Sequence, residues 1–319
     1  MIKILITGGA GNVGGELACR LVKNDNYFVV VVDNLSTGKI ENLPYSTHPN
    51  FLFIKGDVNE YIEIASVVLA HKFDYVFHYA AIVGVDRTLK NPMGVLKDIE
   101  GIKNILSLAK NVGVKRVFYS SSSEVYGEPV EFPQSENTTP LNSRLPYAVV
   151  KNLGEVFFRS YYKEYGLNYT IFRFFNTYGP KQSTDFVISK FINTALENET
   201  ITIYGDGRQT RTFCYIDDNV DSTVAIFEQN LFVNDVVNIG SSVEISMLAL
   251  AELVIDITGS LSKMKHLNAL KEGDMSRRQP DISKMKQVLN RRLTSLEQGI
   301  RKVLEHKFNM SRPESTCRF

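Results

Sequence analysis

A glycine-rich loop near the amino terminus constrains the fold of this chain more than any other part of its sequence. The loop, Thr7–Gly14, directly follows the apolar run Ile2–Ile6, which predicts a buried strand. Gly8 permits a tight turn, Gly11 lets the backbone approach a pyrophosphate, and Gly14 lets a helix pack closely against the sheet. Free amide donors at the start of that helix would face the phosphates. Because the loop joins a strand to a helix, it predicts a dinucleotide-binding site.

Short apolar strands alternate with amphipathic helices through the first half of the chain. The strands are apolar on both faces, which is typical of a parallel sheet that helices cover on both sides. We therefore predict an α/β Rossmann fold with a doubly wound parallel sheet. The predicted strands are Ile2–Ile6, Phe28–Val32, Phe51–Ile54, Tyr75–Tyr79, Arg116–Ser120 and Tyr169–Phe174, and the predicted helices are Gly14–Asn24, Ile62–His71, Met93–Val112 and Tyr147–Tyr165.

An acidic residue after the second predicted strand indicates which dinucleotide binds. Asp33 directly follows Phe28–Val32, and a carboxylate in this place accepts hydrogen bonds from the hydroxyl groups of the adenosine ribose. The same negative charge repels a 2′-phosphate, so the sequence predicts NAD rather than NADP as the cofactor. Asp57 follows the third predicted strand, where a carboxylate can bind the amino group of adenine.

The elements become shorter and more varied after about Asn176. We expect a smaller mixed α/β lobe that binds the substrate, and we expect the β-like run Val236–Ile239 to return to the main sheet. The sequence loses its periodicity from about Lys307, which predicts a peripheral tail. The predicted lobes are residues 1–175, an NAD-binding Rossmann domain with a returning segment near 234–241, and residues 176–319, mainly a substrate-binding lobe.

Tyr147 and Lys151 lie four residues apart in a predicted helix, so their side chains share one face. A free phenol has a pKa of about 10, and a tyrosine that acts as a base near neutral pH needs positive charge nearby. Lys151 is one such charge, and an oxidised nicotinamide ring is a second. The run Ser120–Ser123 lies at the end of a predicted parallel strand, where ligands bind. We expect one of its hydroxyls to contact the reacting group beside Tyr147.

Composition argues against several other classes of function. The formal net charge is +1 and no run of Lys or Arg stands out, so we predict neither nucleic acid nor an anionic membrane as a partner. The cysteines, Cys19, Cys214 and Cys317, form neither a disulfide framework nor a set with metal-ligand spacing. We therefore predict no metal site and a reducing, cytoplasmic setting. The apolar runs are too short to cross a bilayer, and we find no signal peptide.

A series of motifs along nearly the whole chain shares its order and spacing with a known family. The motifs are Thr7–Gly14, Val32–Ser36, Phe77–Ala81, Ser121–Gly127, Tyr147–Lys151, Arg173–Asn176 with Gly179–Pro180, Gln209–Phe213 and Arg278–Asp281. Together they resemble the extended short-chain dehydrogenases that act on nucleotide sugars. That family includes UDP-galactose 4-epimerases, sugar 4,6-dehydratases and UDP-glucuronate decarboxylases. The resemblance implies an NAD-dependent enzyme that oxidises the C4 hydroxyl of a nucleotide-linked sugar.

The resemblance also implies roles for individual residues. Ser122, Tyr147 and Lys151 would form the catalytic triad, with Tyr147 taking the proton of the C4 hydroxyl as hydride passes to NAD. Besides the positions named above, the residues expected around NAD are Asn12, Val13, Asn34, Ser36, Gly38, Val58, Ala80 and Ala81.

Further residues are expected to contact a UDP-, GDP- or dTDP-linked sugar. Asn176 would hold the sugar or its diphosphate, and Ser123 would contact the substrate. Arg211 and Arg278 would clamp the diphosphate, for which the guanidinium fork is suited. Family members usually form homodimers through two helices, which here correspond to Met93–Val112 and Tyr147–Tyr165.

The chain departs from the family pattern at two positions. Asp98 stands where the family usually has an asparagine that supports the active-site helix, so we expect different local hydrogen bonding. Gly15 replaces a common serine after the glycine loop, and we expect this change to have little effect.

The residues leave the net reaction open. We predict 4-dehydrogenation or 4-epimerisation, and a looser overall likeness to GDP-heptose 4-dehydrogenases makes the first a candidate. Glu124 supports an alternative, because a carboxylate above the C5 hydrogen of a 4-keto sugar could abstract that proton, as in a 4,6-dehydratase or a decarboxylase. A remote alternative is a non-catalytic nucleotide-binding protein, against which the intact triad argues.

Overall fold

The computed structural model describes residues 1–128, 130–269 and 277–310, so Cys317 lies outside the described residues. The first part of the chain alternates strands and helices. In chain order these are β1 (Ile2–Thr7), α1 (Asn12–Leu21), β2 (Tyr27–Asp33), β3 (Phe51–Lys55), α2 (Tyr61–His71), β4 (Tyr75–His78), α3 (Val85–Lys90), α4 (Pro92–Val112), β5 (Arg116–Ser122), α5 (Pro146–Tyr165) and β6 (Tyr169–Phe174).

The second part of the chain contains shorter strands between its helices. They are β7 (Thr177–Tyr178), α6 (Val187–Leu196), β8 (Ile201–Tyr204), β9 (Thr210–Thr212), β10 (Cys214–Tyr215), α7 (Ile216–Glu228), β11 (Asp235–Ile239), β12 (Glu244–Ser246), α8 (Met247–Thr258), β13 (Met264–Leu267), α9 (Ser283–Val288) and α10 (Leu296–Met310). The small strands pair as β7 with β10, β9 with β12, and β8 with β13.

One parallel sheet organises the molecule. Within the described residues its strand order is β11-β6-β5-β4-β1-β2-β3, and every neighbouring pair is parallel. The order reverses between β1 and β4, and ligands of doubly wound sheets bind at this point, outside the carboxyl ends of the strands. The predicted Rossmann fold is confirmed. β11 contains the run Val236–Ile239 and pairs with β6 along its whole length.

The sheet separates two apolar layers because successive side chains of a strand point to opposite faces. Ile4 and Ile6 of β1 pack in one layer with Leu17 of α1, whereas Leu5 packs in the other layer with residues such as Ile105 of α4. All five side chains are almost completely buried. This two-sided burial explains why the strands read as continuous apolar runs in the sequence.

A buried ion pair fastens α5 to the sheet. Arg173 on β6 donates from Nε to one carboxylate oxygen of Glu155 at 2.9 Å and from Nη2 to the other at 2.7 Å. Ser121 donates to the same carboxylate at 2.7 Å, and Arg173 also donates to the hydroxyl of Tyr126 at 2.8 Å. Glu155 and Arg173 are both inaccessible to solvent. The bidentate pair therefore fixes α5 against β5 and β6.

Several helix boundaries differ from the predictions. α1 begins at Asn12 rather than at Gly14, so part of the glycine loop already has helical backbone. α10 extends to Met310, so residues 307–310 of the predicted peripheral tail are helical. Lys307 donates to Asn193 of α6 at 2.6 Å, so tertiary contacts hold this helix end in place although the sequence shows little periodicity there.

Candidate active site

A cavity of about 1510 Å³ opens at the carboxyl ends of the sheet strands. Every site residue predicted from the sequence lines it. On one side are the residues expected to bind the cofactor, Gly8, Gly11, Asn12, Val13, Gly14, Asp33, Asn34, Ser36, Gly38, Asp57, Val58, Ala80 and Ala81. The others are Ser122, Ser123, Glu124, Tyr147, Lys151, Asn176, Arg211 and Arg278. The fold thus brings together residues from most of the length of the chain.

Close backbone packing explains why two positions of the loop must be glycine. Gly8 has a φ of +69°, and a Cβ atom on it would lie 2.6 Å from the backbone of Ala80 at the end of β4. A Cβ atom on Gly14 would lie 2.5 Å from the carbonyl oxygen of Gly8. Any side chain at either position would force the loop, β4 and α1 apart, so the sequence motif has a direct steric cause.

The replacement of the family's serine by Gly15 has more effect on packing than we expected. A Cβ atom on Gly15 would lie 2.7 Å from the carbonyl oxygen of Asn42. The side chain of Asn42 in turn donates to the carbonyl oxygen of Ala10 at 2.8 Å. The absence of a side chain at position 15 therefore lets the Asn42 segment pack directly on α1 and the glycine loop.

The surroundings of Asp33 fit the ribose and phosphates of a dinucleotide. Its carboxylate accepts hydrogen bonds from the N–H groups of Ala10 at 3.0 Å and Leu35 at 2.8 Å. Burial raises the pKa of Asp33, and these two donors lower it. A Cβ atom on Gly38 would lie 2.9 Å from Asp33 Oδ1, so the glycine keeps the space beside the carboxylate open. Asn12 Oδ1 is buried without a partner among the described residues, and a ligand hydroxyl would satisfy it.

The three residues of the predicted triad are neighbours at the end of β5 and the start of α5. The Ser122 side chain interacts with the Tyr147 hydroxyl and lowers its pKa. Lys151 Nζ donates to the carbonyl oxygen of Ser120 at 2.6 Å and lies 5.8 Å from the centre of the Tyr147 ring. The Ser122 hydroxyl also accepts the N–H of Glu124 at 3.2 Å. These contacts place the phenol, one hydroxyl and one ammonium group around a common point.

Burial and neighbouring carboxylates oppose ionisation of Tyr147, while a neighbouring hydroxyl and a guanidinium group favour it. Burial raises the pKa of Tyr147, and the negative charge of Glu124 raises it further. The Ser122 side chain and the charge of Arg278 lower it. Burial also lowers the pKa of Lys151 to about 8. The positive charges of Lys151 and of an oxidised nicotinamide ring would have to offset this cost of burying the phenolate, which spacing in the sequence does not show.

The second part of the chain brings three polar residues to the cavity. Arg278 is buried, and its guanidinium group lies 3.6 Å from the carboxylate of Glu124. Arg211 is also buried and donates to the carbonyl oxygen of Thr210 at 2.8 Å. Asn176 has a φ of +34° and donates to the carbonyl oxygen of Thr212 at 3.0 Å. Arg278 therefore contacts a carboxylate close to Tyr147, in addition to the diphosphate role expected for it.

Sequence reasoning missed several polar residues of the same cavity. They come from elements without a recognisable motif, and only the tertiary fold brings them together. These residues are Lys190 of α6, Thr202 and Tyr204 of β8, and His306 and Lys307 of α10.

The described residues contain neither a candidate membrane helix nor a candidate metal centre. In these ranges no helix has both the length and the hydrophobicity needed to cross a bilayer. Nor do three or more His, Cys, Asp or Glu side chains converge there on a point that could hold a metal ion.

The chain is similar to nucleotide-sugar enzymes in both sequence and structure. Residues 4–240 match the family model described as "NAD dependent epimerase/dehydratase family". UDP-glucuronic acid decarboxylase 3 of Arabidopsis thaliana is 38% identical over 296 residues, which cover 90% of this chain and 83% of that protein. UDP-glucuronic acid decarboxylase 1 of Xenopus tropicalis is 38% identical over 325 residues, covering 96% and 74% of the two chains.

Solved structures with the same fold include enzymes that catalyse different net reactions. UDP-glucose 4-epimerase of Thermotoga maritima, solved with UDP-glucose, has a TM-score of 0.91 and 32% identity, covering 98% of this chain and 100% of that one. A dTDP-glucose 4,6-dehydratase of Streptomyces venezuelae, solved with NAD, has a TM-score of 0.88 and 28% identity, covering 97% and 98%. From its motifs, its cavity and these similarities, the chain belongs to the NAD-dependent epimerase/dehydratase family of nucleotide-sugar enzymes.

Proposed function

We propose that this enzyme oxidises the C4 hydroxyl of a nucleotide-diphosphate sugar. The observation that carries the proposal is the meeting of Ser122, Tyr147 and Lys151 in one cavity, between the glycine loop on one side and Arg211 on the other. A hydroxyl placed at Tyr147 would then lie between a cofactor site and a cationic site.

The cofactor half of the site would hold NAD through residues 1–175 and the returning segment near 234–241. NAD, when bound, supplies the hydride acceptor. The loop amides would face its pyrophosphate, and Asp33 would accept the ribose hydroxyls. The negative charge of Asp33 would also disfavour the 2′-phosphate of NADP.

The triad would handle the proton of the reacting hydroxyl. Ser122 would hydrogen-bond the C4 hydroxyl and orient it, while Tyr147 in its phenolate form would take the proton. The ammonium group of Lys151 would stabilise the phenolate, because a nearby positive charge favours an anionic neighbour. The phenol that results would donate the proton back if the ketone is later reduced.

The nucleotide half of the substrate would occupy the lobe formed mainly by residues 176–319. Arg211 would clamp the diphosphate, since a guanidinium group binds two phosphate oxygens at once. Asn176 and Ser123 would contact the sugar. Arg278, which pairs with Glu124, would lie closer to the reacting carbons and would also reach the diphosphate. A UDP-, GDP- or dTDP-linked sugar would satisfy these contacts.

For the net reaction we propose 4-dehydrogenation or 4-epimerisation. A second candidate is a 4,6-dehydratase or decarboxylase reaction that uses Glu124. Glu124 lies beside the triad, two residues after Ser122, and its carboxylate is held by Arg278. A 4-ketone activates the C5 position, so a carboxylate there would remove the C5 proton for loss of water, or would deliver a proton to C5 after carbon dioxide has left. The similarity to UDP-glucuronic acid decarboxylases favours decarboxylation within this second candidate.

Mass spectrometry of products distinguishes the outcomes. The protein would be incubated with NAD and a panel of UDP-, GDP- and dTDP-sugars that includes a uronic acid, while absorbance of the reduced nicotinamide is followed. Loss of two hydrogens with accumulating NADH, or an isomer of unchanged mass, is the expected result. Loss of carbon dioxide or water would establish the second candidate instead. No change to any sugar would contradict C4 oxidation and leave a nucleotide-binding protein.

A Glu124→Gln variant tests the role of this carboxylate separately. If Glu124 only orients the substrate, the variant should reduce NAD and release the same product as the wild type. If Glu124 removes the C5 proton, the variant should still form the 4-ketone but lose the dehydrated product. Loss of carbon dioxide from a 4-keto uronic acid should persist in the variant, because that step needs no proton removed from C5. The amide is nearly the same size as the carboxylate, so the comparison isolates proton transfer.

We also propose that two copies of the chain pair through α4 and α5. These helices pack side by side and leave apolar side chains exposed on both, among them Met93, Val149, Leu153 and Val156. Contiguous exposed apolar surface of this kind is typical of protein interfaces. Val156→Glu should convert a dimer into a monomer in sedimentation velocity. Leu69→Glu on α2, also an exposed apolar position, should leave the dimer intact, and a monomeric wild type would refute the proposal.

A further inference from the structure

A buried carboxylate lies beside the catalytic pair at the position where the chain departs from its family. Asp98 is 8% exposed and lines the same cavity as Tyr147 and Lys151. Its Oδ2 atom accepts the N–H of Ile82 at 2.8 Å, and the nearby Asn59 side chain also favours its charged form. These contacts fix the carboxylate in place on the inner face of α4.

The surroundings of Lys151 supply little other negative charge. Its ammonium group is 3% exposed, donates to the carbonyl oxygen of Ser120, and lies 5.0 Å from the centre of the Tyr119 ring. His78, buried behind it, stays neutral because burial and Lys151 lower its pKa to about 3. Among the described residues, Asp98 lines the same cavity as Lys151, and its negative charge raises the pKa of Lys151 against the effect of burial.

Several other ionisable groups lie near Asp98, and none of them takes the place of its charge beside Lys151. Burial raises the pKa of Asp98, while the Ile82 N–H and the Lys151 charge lower it. Lys97, its neighbour on α4, is exposed and pairs with Glu60 at 2.7 Å. The groups that face Asp98 from the packed elements are Asp57 after β3, Tyr119 of β5, and Tyr147 and Lys151 of α5.

We propose that Asp98 is a positioning residue that keeps the buried Lys151 side chain positively charged and so sets the pH range in which the Tyr147–Lys151 pair works. This inference rests on the proposed C4 oxidation. A neutral residue at position 98 would keep the hydrogen bond to Ile82, because an amide oxygen also accepts an N–H. It would remove only the charge, which is the property that the proposal concerns.

The direction of the effect follows from the sign of the charge. A negative charge favours protonation of every group near it, and Asp98 raises the pKa of both Lys151 and Tyr147. Removing it therefore lowers both. Both limbs of the pH–rate profile should move to lower pH, whichever group each limb reports.

The test compares the wild type with Asp98→Asn over a range of pH. The profile of the variant should shift by roughly one pH unit toward acid, the lower end of what a nearby opposite charge produces. Glu100→Gln, which removes an exposed carboxylate two residues further along α4, should leave the profile in place. A variant profile that is lower at every pH but not displaced would overturn the inference, since loss of structure alone gives that result.

A second measurement does not depend on turnover. The ¹³Cε shift of Lys151, assigned with a Lys151→Arg variant in lysine-labelled protein, reports protonation of this side chain directly. Its titration should move to lower pH in Asp98→Asn, and coincident titrations would refute the role of Asp98. If the wild type oxidised no sugar, the proposed function would be wrong. The titration of Lys151 would still show whether Asp98 keeps this side chain charged.

Discussion

Tyr147→Phe is expected to lower kcat roughly 100- to 10,000-fold, the usual cost of losing an acid–base group. The variant removes one oxygen atom and keeps the ring that packs near Lys151. NAD affinity should therefore change little, because the glycine loop and Asp33, which are expected to hold its pyrophosphate and ribose, are unchanged. The measurement is the single-turnover rate of NAD reduction with saturating sugar nucleotide, together with the Kd of NAD from fluorescence titration.

Tyr162→Phe provides a matched control on the same helix. Tyr162 is partly exposed on α5 and packs against Tyr169 rather than toward the cavity. This variant should retain the wild-type rate. Turnover that survives in Tyr147→Phe would show that another group accepts the proton, and the assigned mechanism would be wrong.

Glu155→Gln should lower the free energy of unfolding by about 3–5 kcal/mol, the range observed when one partner of a buried ion pair is removed. The change leaves Arg173 charged, 1% exposed and without a full counter-charge. Arg173 cannot lose its proton to escape this cost, because its pKa lies far above neutral pH. Urea unfolding followed by circular dichroism would report the shift as a lower midpoint at unchanged slope.

Two comparisons separate this effect from a general sensitivity of the fold. Glu297→Gln removes the carboxylate of an exposed pair with Arg301 on α10, and such pairs contribute little to stability. The double variant Glu155→Leu with Arg173→Met should be more stable than Glu155→Gln, because apolar side chains do not require a counter-charge. A double variant less stable than the single one would mean that the network matters for reasons other than charge.

The main sheet was predictable because its strands are buried on both faces. Runs such as Val29–Val32 are apolar at every position, and the loop at Gly8–Gly14 allows few backbone arrangements. The pairing of Tyr147 with Lys151 was predictable for a similar reason, since helical geometry places residues four apart on one face. In each case a local rule determined the result.

Other parts of the site depend on contacts between segments that are far apart in the chain. Such contacts cannot be predicted from the spacing of neighbouring residues. The ion pair of Arg278 with Glu124 joins residues from opposite parts of the chain. His306 and Lys307 reach the cavity only because α10 packs across the molecule. The pKa of Tyr147 depends on how deeply the phenol is buried, which spacing in the sequence does not reveal.

The return of β11 to the sheet limits how this protein can be divided. β11 covers the edge of β6, so a fragment that ends after residue 175 would expose the N–H and C=O groups of that strand to solvent. Uncovered strand edges promote pairing between molecules, and such a fragment should aggregate when expressed alone. Recombination that exchanged the whole region after residue 175 would also have to supply a matching edge strand. New substrate specificities would therefore arise more readily through changes in the loops and short strands that flank β11.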